Sequence, residues 1–176
     1  MTPDSFTFNA IDMYQTFAVK ILAYDLLMPE LRRREVVIPG RSGAYDYGAK
    51  YHENRPLQMQ VEVEREISPM QFDELKYTLS RKGRIILWDK PDRYFVGQLY
   101  DPAEVTDFFR HSRREFEIAF LCEPYAYALE PTVLKSTEPV LRIAYEGTRE
   151  APTLITIRNT GDTPLYGLRI SSRSAR

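Results

Sequence analysis

Residues Leu57 to Glu66 read LQMQVEVERE. Leu57, Met59, Val61 and Val63 alternate with Gln58, Gln60, Glu62, Glu64 and Glu66. A strict period of two, apolar on one side and polar on the other, specifies an antiparallel strand with one buried and one wet face. The next residues switch period. Ser68 is placed to cap a helix, Pro69 to occupy its first turn, and Gln71 to complete a Ser-x-x-Gln capping box. Phe72, Leu75 and Leu79 then recur at helical spacing, which predicts one helix over about 69–82. Arg81 and Lys82 are expected in its last turn and Gly83 as a left-handed cap.

Outward from this strand and helix the chain reads as β. Arg84 to Trp88 and Arg93 to Tyr100 flank Asp89-Lys90-Pro91-Asp92, whose turn chemistry predicts a hairpin. Glu104 to Phe109 and Arg114 to Cys122 are expected strands. Polar residues run out toward Cys122, which suggests burial on both faces there. On the N-terminal side, Phe17 to Asp25 and Arg33 to Ile38 are expected strands. The three glycines between Pro39 and Gly48 predict a tight turn or a long hairpin tip. The run CEPYAYALEPTVLKSTEP breaks this pattern with three prolines. It divides the chain into a first domain (1–130), a linker (131–139) and a short unit (140–176). Val140 to Tyr145, Thr153 to Arg158 and Leu165 to Ile170 are expected strands of that unit, with a turn at Asn159 to Asp162. Three such strands seldom fold alone, so this unit reads as truncated, reduced or completed by another chain.

Composition narrows the function classes. The chain has 176 residues, 43% hydrophobic and 28% charged, which is ordinary globular content. Its 24 basic and 25 acidic residues leave a net charge of -1, without the basic field that general nucleic-acid binding requires. The basic run Arg32-Arg33-Arg34 reads as a solvated or interfacial edge. One cysteine excludes an intrachain disulfide. The N-terminus has neither a basic patch nor an apolar run, so no signal peptide is expected. No stretch approaches the roughly 20 apolar residues of a membrane span, so no membrane insertion is expected.

Catalytic and metal chemistry find little support. His52 and His111 stand in separate segments without the paired ligands of a zinc site, and no cofactor is expected. No nucleophile elbow or phosphate-binding glycine loop is present. Cys122 reads as a small core residue. The nearest approach to an acid/base pair is Glu62 and Glu64, whose Cα atoms would stand roughly 6.5 to 7 Å apart. Like residues on one wet face offer nothing to separate their pKa values, and a solvated face is the better reading. The chain is not expected to be an enzyme. Aromatic residues are plentiful, with 12 Tyr, 9 Phe and one Trp, and Tyr45, Tyr47 and Tyr51 cluster about the glycine-rich tip. They suit an interface or cross-strand packing within the hairpin equally well.

Four segments, in order around the single helix, carry a family resemblance. They are Phe6-Thr7-Phe8-Asn9, with Ala10 where glycine is common; Ile38-Pro39-Gly40-Arg41-Ser42-Gly43; Asp89-Lys90-Pro91-Asp92-Arg93-Tyr94-Phe95; and Phe116 through Tyr127. Together they resemble the distal tail proteins of long, non-contractile-tailed phages. A weaker likeness through Glu146 to Pro152 resembles the entry to that family's second, galectin-like domain. The resemblance implies a mainly β (α+β) chain: an antiparallel β-sandwich with one helix, followed by a partial galectin-like β-sandwich segment. It also implies a homohexameric ring between tail tube and tip, assembled in the host cytoplasm and carried in the virion tail tip or baseplate. Tail tube protein, tape-measure protein, and tail hub, tail-associated lysin or fibre proteins are the implied partners. DNA would pass through the lumen without specific binding. Arg41, Tyr45, Tyr47 and Tyr51 become inter-subunit candidates. The competing reading is a carbohydrate-binding adhesin module of a tail or tail-like particle, using exposed aromatics such as Tyr45 and Trp88.

Overall fold

The structure, a computed structural model, describes residues 3–46, 51–100, 115–145, 147–151, 153–164, 166–167 and 169–171. The expected strand Glu104 to Phe109, His111 and Tyr47 lie outside the described residues. The chain divides between Thr132 and Val133 into two units.

The first unit is β with two helices. In chain order it runs β1 (Phe6–Phe8), β2 (Ile11–Asp12), α1 (Met13–Phe17), β3 (Val19–Leu26), β4 (Glu35–Val37), β5 (Ala44–Asp46) and β6 (Arg55–Val63). There follow α2 (Pro69–Leu79), β7 (Gly83–Leu87), β8 (Arg93–Leu99), β9 (Glu115–Cys122) and β10 (Tyr127–Ala128). One antiparallel sheet has the order β2-β1-β7-β8-β9-β6-β3, with β10 also paired to β8. The alternation at Leu57 holds: Leu57, Met59, Val61 and Val63 are buried, and β6 pairs β3 on one side and β9 on the other. Leu22 is left out of the β3–β6 register as a bulge.

The sheet curls until its ends meet. Phe6 and Phe8 of β1 pack against Phe120 of β9, with ring centroids 6.3 and 5.6 Å apart, although β7 and β8 lie between them in the strand order. At the seam the Ile21 N–H donates to the Asp4 carbonyl at 2.6 Å, the Ser5 hydroxyl donates to the Val19 carbonyl at 3.1 Å, and the Trp88 N–H donates to the Ser5 carbonyl at 3.2 Å. The residues just before β1 therefore stitch β3 to the end of β7. The result is a β-sandwich whose two layers are halves of one folded-over sheet, with Phe72, Leu75 and Leu79 of α2 in the same core. The fold class expected for this domain is the one observed.

Several local expectations are corrected. The capping box at Ser68 and Gln71 forms with both reciprocal hydrogen bonds, but the helix ends at Leu79 with Ser80 as its cap. Arg81 and Lys82 lie beyond it, and Lys76 is the basic residue of the last turn. Gly83 is not a left-handed cap. It opens β7, where a Cβ would stand 2.5 Å from Asn9 Nδ2 and 2.6 Å from Phe8 Cζ, so close approach and not φ requires glycine. A second helix, α1, was not expected; Asp12 caps its first turn through the Tyr14 and Gln15 N–H groups, and Ala18 ends it at φ 56°. The strand at Phe17 accordingly begins two residues later. Leu121 is exposed, so β9 is buried on one face only. The 89–92 turn forms as expected, with the Lys90 N–H donating to the Leu87 carbonyl.

In the second unit, the described residues from Val133 to Ser171 form neither helix nor strand. The strands expected at 140–145, 153–158 and 165–170 are absent among them. Leu154 is 92% exposed and Ile155 and Ile157 are also open, so no apolar face is covered that could hold a three-stranded sheet together. The Asn159 turn does form: Asn159 Oδ1 accepts from the Gly161 N–H, and Asn159 Nδ2 donates to the Thr163 carbonyl.

Candidate functional site: an exposed hairpin arm

Among the described residues, β4 and β5 pair only with each other, in the register Glu35↔Asp46, Val36↔Tyr45 and Val37↔Ala44. Gly40 and Gly43, both at φ 82°, make the turn between them, a conformation open to glycine at little cost. The arm has a built base. Leu31 bridges His52, the Arg32 N–H donates to the Tyr51 carbonyl at 2.8 Å, and the Glu53 N–H donates to the Glu30 carbonyl at 2.8 Å. Arg32 grips Glu53 with two hydrogen bonds, Nε to Oε1 at 2.6 Å and Nη2 to Oε2 at 3.2 Å, and this pairing lowers the Glu53 pKa. His52 Nδ1 lies 2.8 Å from the Tyr125 hydroxyl, with the rings edge to face, tying the base to the segment after β9.

What the arm lacks is cover. Val36, Val37, Ile38 and Tyr45 are exposed, Val37 to 76%, as are Leu27, Met28 and Leu31 in the segment that leads into the arm. An isolated two-stranded hairpin is marginal in water, and a contiguous exposed apolar surface is the mark of an interaction site. Among the candidates, Arg41 stacks over the Tyr45 ring at 5.9 Å. Tyr51 sits apart from them, opposite Arg32 at the base. Tyr45 also stands opposite Val36 in the hairpin register, so it takes part in the hairpin's own pairing as well as presenting a face outward.

The acidic ladder does not make an acid/base pair. Glu64 accepts from the Tyr14 hydroxyl at 2.8 Å and from Lys20 Nζ at 3.1 Å; these partners, Tyr14 first, hold its pKa below the ordinary value, opposite to what a general acid needs. Glu66 lies beyond the end of β6. Cys122 is fully buried, and burial pushes its thiol up to about 11, which leaves it inert. Among the described residues, no group of three His, Cys, Asp or Glu side chains is placed to hold a metal, and no helix is long and apolar enough to cross a membrane. Trp88 packs against the core, edge to face with Tyr24 at 5.5 Å. Tyr24 in turn donates to Asp89 and accepts from Lys90, a network spanning 65 residues that no local pattern announces.

No protein-family model matches the chain, and no curated protein matches it in sequence. Among solved structures, the SPP1 Dit protein superposes with a TM-score of 0.53 at 14% identity, covering 70% of this chain and 51% of that one. The fold is Dit-like. SPP1 Dit is described as a paradigm of the hub adsorption apparatus in phages that infect Gram-positive bacteria. This chain spans about half the length of that protein, so the likeness concerns a Dit-like architecture and not the whole molecule.

Proposed function

We propose that the chain is a structural subunit of a phage tail tip, a distal tail protein whose copies close into a hexameric ring joining the tail tube to the tip. The observation that carries this reading is the uncovered arm on a Dit-like body. A ring built by rotation uses a heterologous contact, in which a projecting element of one copy seats on a different surface of the next. The arm is such an element, with Arg41, Tyr45 and Tyr51 as contact residues beside Val36 and Val37. The tail tube protein, the tape-measure protein, and hub, lysin or fibre proteins are the partners this position implies. DNA would traverse the lumen unbound, in keeping with a net charge of -1 and with six surface cations, Lys20, Arg32, Lys76, Lys82, Lys90 and Arg93, that each pair with a carboxylate.

The native cysteine is buried, so Val37→Cys offers a single accessible thiol for a benzophenone-maleimide photo-crosslinker. Crosslinks from position 37 to a peptide of a second copy, mapped by mixing isotopically light and heavy chains, are the expected outcome. Crosslinks confined to the same chain, at concentrations where the protein is assembled, would overturn the role given to the arm.

A further inference from the structure

Six cations of the first unit are paired with carboxylates at the surface, yet the half-buried Arg55 is not. Arg55 opens β6 and lies on the same face as Leu57, Met59, Val61 and Val63, so its side chain extends the core stripe by one step. Its guanidinium lies over the buried Phe95 ring, 5.1 Å from the centroid. Nε is buried without a hydrogen-bond partner, and Arg55 forms no ion pair among the described residues. The Cys122 thiol is the charge-bearing neighbour, and at a pKa of about 11 it carries no charge at neutral pH. Arginine cannot shed its proton to escape such a place, and the face of an aromatic ring offsets only part of the lost hydration. A half-buried, unpaired guanidinium is a cost that folding alone does not explain.

We infer that Arg55 is an acceptor site for one carboxylate, supplied by an acidic side chain of a partner protein. With one face of the guanidinium on Phe95 and its Nε without a partner, its planar fork of N–H donors is what a carboxylate matches edge-on with two parallel hydrogen bonds. A nucleic-acid backbone is the poorer match, because phosphate tracking needs several free cations in a row. The surface cations Lys82, Lys90 and Arg93 are already paired with Glu123, Asp89 and Asp92. The site is independent of whether copies close into a ring.

The test uses the whole chain with 15N-labelled arginine side chains. Sodium acetate, titrated against sodium chloride at matched ionic strength, is expected to shift one Nε–Hε resonance saturably, the resonance missing from the Arg55→Met spectrum. The Arg55→Met variant is expected to keep or raise the urea midpoint of the free protein, since an uncompensated charge is removed. Absence of a saturable acetate shift, or inorganic phosphate saturating the same resonance at lower concentration, would overturn the carboxylate assignment. A lowered urea midpoint for Arg55→Met would overturn it as well, by giving Arg55 an internal structural role.

Discussion

The Ser5 hydroxyl donates to the Val19 carbonyl at 3.1 Å, and through that contact the two ends of the sheet are joined. Ser5 is the only polar residue among the fully buried described positions, and its own carbonyl accepts from the Trp88 N–H. Ser5→Ala leaves the Val19 carbonyl facing a dry seam without its donor. The expected loss is about 1–3 kcal/mol in urea unfolding, the cost of one unsatisfied buried polar group. An unchanged midpoint would mean that the seam is open to water.

The β1–β2 turn is strained at one residue. Asn9 and Ala10 both have positive φ, 49° and 68°, as a two-residue hairpin of this kind demands. Asn9 is suited to it and also accepts from the Arg84 N–H at 2.9 Å, whereas Ala10 carries a Cβ into the left-handed region. Ala10→Gly is therefore expected to stabilise the protein by roughly 0.5–1 kcal/mol, the relief being partly offset by glycine's freedom in the unfolded chain. Thermal unfolding followed by circular dichroism reads the sign directly.

Gly97 is a packing glycine. A Cβ there would meet Cys122 Sγ at 2.8 Å and Ile85 Cδ1 at 3.1 Å across the β8 pairings. Gly97→Ala is expected to cost about 1–3 kcal/mol as overpacking. Combined with Cys122→Ala, which removes the nearer atom, it should cost less than the two single changes added together. Strict additivity in a double-mutant cycle would show that the two positions do not touch.

The Tyr14–Glu64–Lys20 network couples stability to pH at both extremes. The pKa of Glu64 is depressed below 4.5, so its contribution is present above that value and is lost as pH falls through the folded pKa. The pKa of Lys20 is raised above 10.5, chiefly by its hydrogen bond to Glu64, so its contribution is present below that value and is lost as pH rises through the folded pKa. Glu64→Gln is expected to lower the unfolding midpoint at neutral pH and to converge with the wild type below the carboxylate range. Parallel pH profiles would mean that the network leaves stability unaffected. The groups are exposed, so the difference is expected to shrink in salt.

What could be read from sequence was what depends on near neighbours. The β6 alternation and the Ser68–Gln71 box need only ten or so residues to be specified, and both formed. Gly83 misled because Arg81-Lys82-Gly83 has the composition of a helix end, while its real constraint comes from Asn9 and Phe8, more than 70 residues earlier. The exposure of Leu121 depends on whether anything covers the outer face of β9, which composition does not encode. Helix α1 is five residues long, too short for a periodic stripe, and ends on an alanine where a glycine would have marked it. Arg55 was within reach: carrying the Leu57 alternation one step back puts an arginine on the core face. The arm's glycines were legible, but the lack of cover over Val36 and Val37 was not. Nothing local tells an apolar strand that packs from one that waits for a partner.

The central claim is that copies of this chain assemble through the arm, and its most direct test is solution mass by light scattering after gel filtration, with negative-stain imaging of the main peak. The expected result is a ring of six copies near 120 kDa, about six times the 20.6 kDa chain. Val37→Lys should lose the ring while keeping the unfolding midpoint within about 0.5 kcal/mol, since the changed side chain is exposed in the single chain. A monomer of 20.6 kDa at every concentration reached, or a ring that the Val37→Lys variant forms equally well, would contradict the account.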